Sequence, residues 1–284
     1  INVTLDVEQL KTSTSIILAD RGLRQEEAAI VAKCVQFNRS LTSLDMSGND
    51  IGDGGKSAIG DALLSSSTSK LQFLTCSEWS ITADTSSLCL PRKMLNAAGA
   101  KLLAGVIKFN RSLNSLDLCG NDLGGASETI AQAVLQHPAM EIFCNIPMKK
   151  MREDSLTELN LYINGIGPHG AMVITSLLEF SRSLKSANLG GNGIGNEGTA
   201  ALSEALKSNS TLEELKLYHN LIGATGAQSL ANMLQFNRAL TTLDLGNNSI
   251  GGQYVKEAEV TGTTFKVGDV VQWNGMEGTI SKEK

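Results

Sequence analysis

LKLYHNLIGATGAQSLANML occupies Leu215–Leu234. Its first residues alternate leucine with polar side chains, the period of a strand with one buried face. Past Asn220 the alternation stops. Small and apolar residues then recur at helical spacing, with Leu230 and Leu234 four apart on one helix face. A strand pattern gives way to a helix pattern within a few residues, and the same switch recurs along the chain.

Counted from the first leucine of each pattern, units begin at Leu156, Leu184, Leu212 and Leu240, each 28 residues after the last. Earlier starts fall at Leu41, Leu71 and Leu113. Twenty-eight before Leu41, Ser13 opens a degenerate unit with Ile16 and Leu18 in the leucine places. Each unit reads LxxLxLxxNxIG and then a helical segment. The asparagines are Asn49, Asn121, Asn164, Asn192, Asn220 and Asn248, and two places on stand Ile51, Leu123, Ile166, Ile194, Ile222 and Ile250, each followed by glycine.

This register resembles the leucine-rich repeat, and a 28-residue period with a full helix resembles its ribonuclease-inhibitor-like class. That class also supplies the sensor end of NOD-like receptors and the body of Ran GTPase-activating protein, and it is similar to arrays common in unicellular algae. The resemblance covers about residues 13–252. It implies an α/β fold, a curved leucine-rich-repeat solenoid (a horseshoe) with parallel strands inside and helices outside. One strand and one helix cannot bury their apolar faces alone, so neighbouring units must stack. Strands pair at about 4.8 Å and helices need about 8–10 Å, which bends such a stack. Each asparagine is expected to satisfy backbone groups freed where the strand turns. The glycine after Ile222 is expected to permit the turn into the helix.

Three segments depart from the pattern. Residues 1–40 read as a helical cap with the degenerate repeat, ahead of repeats over 41–252. Leu71 to Leu113 runs 14 residues over length, with Trp79 where asparagine belongs and an inserted loop at 82–95. Trp79 either plugs the missing asparagine position or stands exposed as an anchor. The stretch 140–155, MEIFCNIPMKKMREDS, looks too short for a helix and reads as a strand and a loop bearing Lys149, Lys150 and Arg152. After Val255, two apolar runs flank Asn274–Gly275, a hairpin turn signal. Residues 253–284 therefore read as a β-hairpin, SH3-like extension docked on the last repeat. The opening Ile1 and the abrupt end at Lys284 read as a piece of a longer chain.

Composition narrows function. Of 284 residues, 42% are apolar but only 4% aromatic, so the core is aliphatic. The formal charge of -5 argues against nucleic acid or an anionic membrane as partner. No apolar run reaches the length of about 18 residues that a membrane span needs. The five cysteines, Cys34, Cys76, Cys89, Cys119 and Cys144, form no CxxC pair, which suggests reduced thiols in the cytoplasm or another reducing intracellular compartment. N-x-S/T triplets begin at Asn2, Asn38, Asn110 and Asn209, and the last three fall where helices end, as turn chemistry.

Chemical motifs dissolve into the repeat. Gly193-Ile-Gly195-Asn-Glu-Gly198 is a formal GxGxxG after a strand, with Glu213 and Glu214 about 20 residues on. Yet Gly195 and Gly198 have counterparts at Gly223 and Gly226, and at Gly167 and Gly170. GDGGKSA at 52–58 is a repeat turn that lacks a phosphate loop's first glycine. His137, His169 and His219 have no partner at metal-ligand spacing, and His137 and His169 read as solvated. No catalytic set assembles. No cofactor, metal or enzymatic activity is expected.

Binding is expected on the concave strand face, where the residues between the leucines point. Most are small or acidic, among them Ser115, Asp117 and Cys119. Glu158, Tyr162, Glu214, Lys216, Tyr218 and His219 stand out as a protein-binding patch, because tyrosine buries area and keeps a polar tip. A second set, Arg39, Arg111, Arg182 and Arg238, follows the helices in FNRS, FSRS and FNRA segments. These arginines either complement helix C-termini or form a basic rim for an acidic partner. The leading expectation is a non-enzymatic scaffold that binds a protein partner or serves as an accessory subunit in a larger complex. The resemblance also implies two alternatives, a GTPase-activating regulator and the ligand sensor of a larger receptor.

Overall fold

The computed structural model describes residues 5–250, 270–273 and 276–279. They form two compact units, one of residues 5–116 with 122–140, the other of residues 117–121 with 141–250 and the strand residues 270–273 and 276–279.

The first unit runs α1 (Val7–Thr12), β1 (Ser15–Ile17), α2 (Gln25–Phe37), β2 (Ser43–Asp45), α3 (Gly52–Ser65), β3 (Phe73–Thr75), β4 (Ser80–Ile81), β5 (Ser87–Cys89), α4 (Ala97–Ile107), the start of β6 (Ser115–Asp117), whose Asp117 belongs to the second unit, and α5 (Ser127–Gln136). Strands β1, β2 and β3 pair in parallel, with Ile16 opposite Leu44 and Leu44 opposite Leu74. Helices α2, α3 and α4 pack in sequence order. The second unit runs β7 (Ile142–Phe143), α6 (Met148–Arg152), β8 (Glu158–Asn160), α7 (Gly167–Leu178), β9 (Ser186–Asn188), α8 (Gly195–Ser208), β10 (Glu214–Lys216), α9 (Ala224–Leu234), β11 (Thr242–Leu245), β12 (Val270–Trp273) and β13 (Met276–Thr279). Its sheet is parallel from β8 to β12. Leu159, Ala187, Leu215 and Leu243 form one buried rung. Burial of each such leucine contributes about 2 kcal/mol. Beyond β12 the hairpin partner β13 pairs antiparallel.

The asparagines tie each repeat to the one before. Asn220 Oδ1 accepts from the Asn192 and Ile194 N–H groups at 3.0 and 3.3 Å, while its Nδ2 donates to Leu189 O at 2.8 Å. Asn192 makes the same set with Asn164 N, Ile166 N and Leu161 O. Asn248 repeats it with Asn220 N, Ile222 N and Leu217 O, and Asn49 with Arg21 N, Leu23 N and Leu18 O. The residue just before each of these asparagines, Gly48, Gly191, His219 and Asn247, is left-handed, as are Gly120 and Ile163 before Asn121 and Asn164, all with φ between 53° and 71°. At the other end of the strands Asn38, Asn110, Asn209 and Asn237 are buried. Their amides donate to Leu10, Gln72, Leu178 and Leu206 carbonyls of earlier units.

Several expectations need correction. Asn164 is only half-buried, because the irregular unit before it offers the Asn145 side chain, 2.9 Å away, in place of backbone N–H groups. Gly223 has an ordinary φ of -98°, and Leu221 at 59° takes the left-handed step in that unit. The stretch 82–95 is not all loop. It carries β5, and Ser86 O accepts from Asn114 and Ser115 N–H, the pattern Thr14 O makes with Thr42 and Ser43. Trp79 is buried, which selects the plug over the anchor. Residues 148–152 form the short helix α6. His137 and His169 are buried rather than solvated, at 2% and 0% exposure. The turn ends before His169, the third residue of α7, whose ring packs edge-on to Phe143 at 5.9 Å. Within the Gly193–Gly198 motif the Gly195 N–H donates to Asn220 O at 2.8 Å, a bond of the repeat.

Asn220→Ala strands two buried N–H groups and a carbonyl, and is expected to cost about 3 kcal/mol, read from the urea midpoint. Asn164→Ala should cost about 1 kcal/mol or less. Burial also pushes His169 down to about 4, against some pull upward from Glu197. The folded state therefore favours the neutral ring. Its contribution is complete above the ordinary histidine value and is lost as pH falls toward about 4. That loss should total on the order of 3 kcal/mol, and stability curves of His169→Phe should be flatter over the same window.

Candidate protein-interaction surface

The open face of β8–β11 is set by strand alternation. The buried rung turns one way, and Glu158, Asn160, Ser186, Asn188, Glu214, Lys216, Thr242 and Asp244 turn the other. Parallel register aligns Glu158 with Ser186, Glu214 and Thr242, and Asn160 with Asn188, Lys216 and Asp244. One more step along each strand comes a lane of Tyr162, Gly190, Tyr218 and Gly246.

In that lane the two tyrosines meet. Their ring centroids are 5.6 Å apart and tilted by 43°, inside the range for favourable aromatic pairs. Gly190 makes this possible, because a Cβ there would collide with the Tyr218 ring. Tyr162 remains 48% exposed. His219 stands edge-on to Tyr218 at 6.1 Å and is itself exposed. The side chains of Ile163 and Leu221, at 60% and 71% exposure, add apolar surface at the turns that end these strands. They went unremarked in the sequence, because a repeat turn masks how far a left-handed backbone throws its side chain outward.

Below the rings lies a polar row. Glu214 meets Lys216 Nζ at 2.9 Å and accepts from the Ser186 hydroxyl at 2.9 Å. The Lys216 ammonium, then Ser186, hold the Glu214 carboxyl below its ordinary range. Glu214 in turn holds Lys216 above its own. Glu158 is exposed on the edge strand β8. Five of the six patch residues named from sequence thus form linked pairs, and Glu158 shares only the lane of Glu214.

The arginines behave differently. Arg111 Nη1 donates to Lys108 O and Asn110 O at 3.1 and 2.6 Å. Arg238 Nη1 donates to Gln235 O and Asn237 O at 3.0 and 3.3 Å. Both cover helix-end carbonyls, as the helix-terminus reading requires. Arg39 and Arg182 are exposed at the equivalent places. Cys119, expected on the open face, is 7% exposed and lies beside Cys144.

The stacked strand–helix units and asparagine ladder are those of a leucine-rich-repeat solenoid, similar to the ribonuclease-inhibitor-like kind. The Leucine Rich repeat family matches residues 37–60, 180–203, 208–231 and 236–253. The chain is 28% identical to ribonuclease inhibitor of Sus scrofa over 171 residues, 55% of this chain and 34% of that protein. It is also 28% identical to human NACHT, LRR and PYD domains-containing protein 12, over 52% of this chain and 14% of that protein. The chain therefore spans well under half the length of these relatives. Among solved structures it is similar to Leiomodin-1 Actin-Binding Site 2, at 23% identity and a TM-score of 0.40, covering 45% of this chain and 78% of that one. It is also similar to LegL7 from Legionella pneumophila, at 21% identity and a TM-score of 0.30, covering 87% and 70%. Among the described residues no helix is long and apolar enough to cross a membrane.

Replacing Gly190 with alanine is expected to push Tyr218 off its seat. Ring-to-ring nuclear Overhauser contacts between Tyr162 and Tyr218 should vanish while stability changes by about 1 kcal/mol or less. Persistence of those contacts would show that the glycine does not seat the pair.

Proposed function

We propose that this chain is a non-enzymatic interaction module that holds a protein partner on the open face of β8–β11, as a scaffold or an accessory subunit of a larger assembly. The observation that carries the reading is the Tyr162–Tyr218 pair, seated over Gly190 and left open on one side. Paired aromatic rings offer a large contact area at low entropic cost, and such rings dominate interface energetics. Glu158, Glu214, Lys216 and His219 frame the rings with charge and hydrogen-bonding capacity, as the polar rim of an interface does. The relatives' repeats support a binding role, and cysteines that form no disulfide favour a reducing intracellular compartment.

The GTPase-activating alternative needs a cationic side chain free to reach a nucleotide. Arg111 and Arg238 hold their own helix ends, which weakens it. A sensor role needs a further domain and draws only on the human relative.

The test is a crosslinking pull-down from the native source with two baits besides wild type. Tyr162→Ala/Tyr218→Ala should weaken capture at least about tenfold, while Arg111→Ala/Arg182→Ala should retain it. Loss with the arginine bait alone would move the site to the rim. Stimulated GTP hydrolysis across a panel of small GTPases would favour the first alternative.

A further inference from the structure

We propose that Asp117, Cys119 and Cys144 form a binding site for a thiophilic divalent cation, zinc above all. Asp117 ends β6, and Cys119 follows two residues later, so extended backbone turns both side chains to the same side. Cys144 comes from the turn after β7. Phe143 and Ile146 exchange backbone hydrogen bonds across that turn at 3.1 and 2.8 Å. Cys144 and Asn145 both adopt left-handed backbone inside it, with φ of 46° and 62°. The turn points the Cys144 thiol at the strand, and a carboxylate oxygen and two sulfurs lie within 4.8 Å of one another.

This donor set matches zinc. A tetrahedral ion with bonds of about 2.3 Å to sulfur and about 2.1 Å to oxygen spaces its ligands about 3.5–3.8 Å apart. Side-chain adjustment of about an ångström therefore closes the triad onto an ion. Two thiolates select a soft or borderline ion, and the carboxylate favours a divalent one over monovalent copper. Three protein ligands leave one corner for water. Binding releases the two thiol protons to solvent and leaves a thiolate pair whose charge the ion and local N–H groups offset. Those groups are in place, since Leu118 N–H donates to Cys144 Sγ at 3.4 Å and Cys119 N–H to Asp117 Oδ1 at 2.9 Å. Such outer contacts orient metal ligands. Both sulfurs are buried, and half-buried Asp117 gives the ion a route in.

The site also has a structural use. Where the regular units join backbone to asparagine, residues 140–155 offer the Asn145 amide, which donates side chain to side chain to Asn164. An ion would clamp the β6 end to the 143–146 turn beside that irregular contact.

The experiment titrates cobalt(II) into the reduced, chelator-treated full chain and follows thiolate-to-cobalt charge transfer, then displaces cobalt with zinc. Stoichiometric binding with a thiolate band is expected, with zinc raising the urea midpoint and magnesium leaving it unchanged. Cys119→Ser and Cys144→Ser should each lose the band, Asp117→Asn should keep the band but weaken binding, and exposed Cys89→Ser should keep wild-type behaviour. The proposal is overturned if folded wild type gives no band, if the band survives both cysteine changes, or if Cys119 and Cys144 oxidise to a disulfide while zinc is present in excess.

Discussion

Everything in the second unit hangs on one constraint, that a buried backbone amide at the strand-to-turn bend must find a partner. The regular repeats meet it with the side chain of the next repeat's asparagine. Each such residue accepts from two N–H groups and donates to a carbonyl of the unit before it. The bond set fixes register as firmly as the leucine rungs do, because a slip of one residue breaks both. The residue before each asparagine is left-handed at this bend, which decides the side chains thrown outward at the turns, and the exposure of His219 and Ile163 follows from it.

The regular repeats were legible for this reason. Leucine spacing and the six asparagines state the period, and the period states the strand partners. What escaped was whatever the period does not govern. The burial of His169 depends on Phe143, which belongs to an irregular unit with no register to count from. Strand β5 hides in an insert whose sequence lacks the leucine signature before Leu88 and Leu90. The meeting of Cys119 with Cys144 joins a regular strand to an irregular turn, so no spacing rule announces it. The tyrosine patch was legible in outline, since one repeat between two tyrosines bears glycine. The tilt of the rings and the ion pair beneath them were not, because side-chain packing is not periodic.

The open face is correspondingly economical. Its distinctive surface comes from two rings and a missing Cβ, set on a backbone that would look the same with serine in those places. Specificity in such a fold resides in the non-leucine positions, while stability resides in the leucines and asparagines. The two sets of residues can therefore vary almost independently, which suits a scaffold that presents different faces in different proteins.

The asparagines at the helix ends carry a further consequence. Asn38, Asn110 and Asn209 each begin an N-x-S triplet or its threonine equivalent, yet their amides are buried and donate to carbonyls of earlier units. An oligosaccharide attached to any of them would occupy the space of the adjoining repeat. Passage of this chain through a compartment that glycosylates nascent polypeptides would set sugar transfer in competition with repeat stacking. Production of the protein by secretion would thus yield a mixture in which the modified molecules are the unfolded ones.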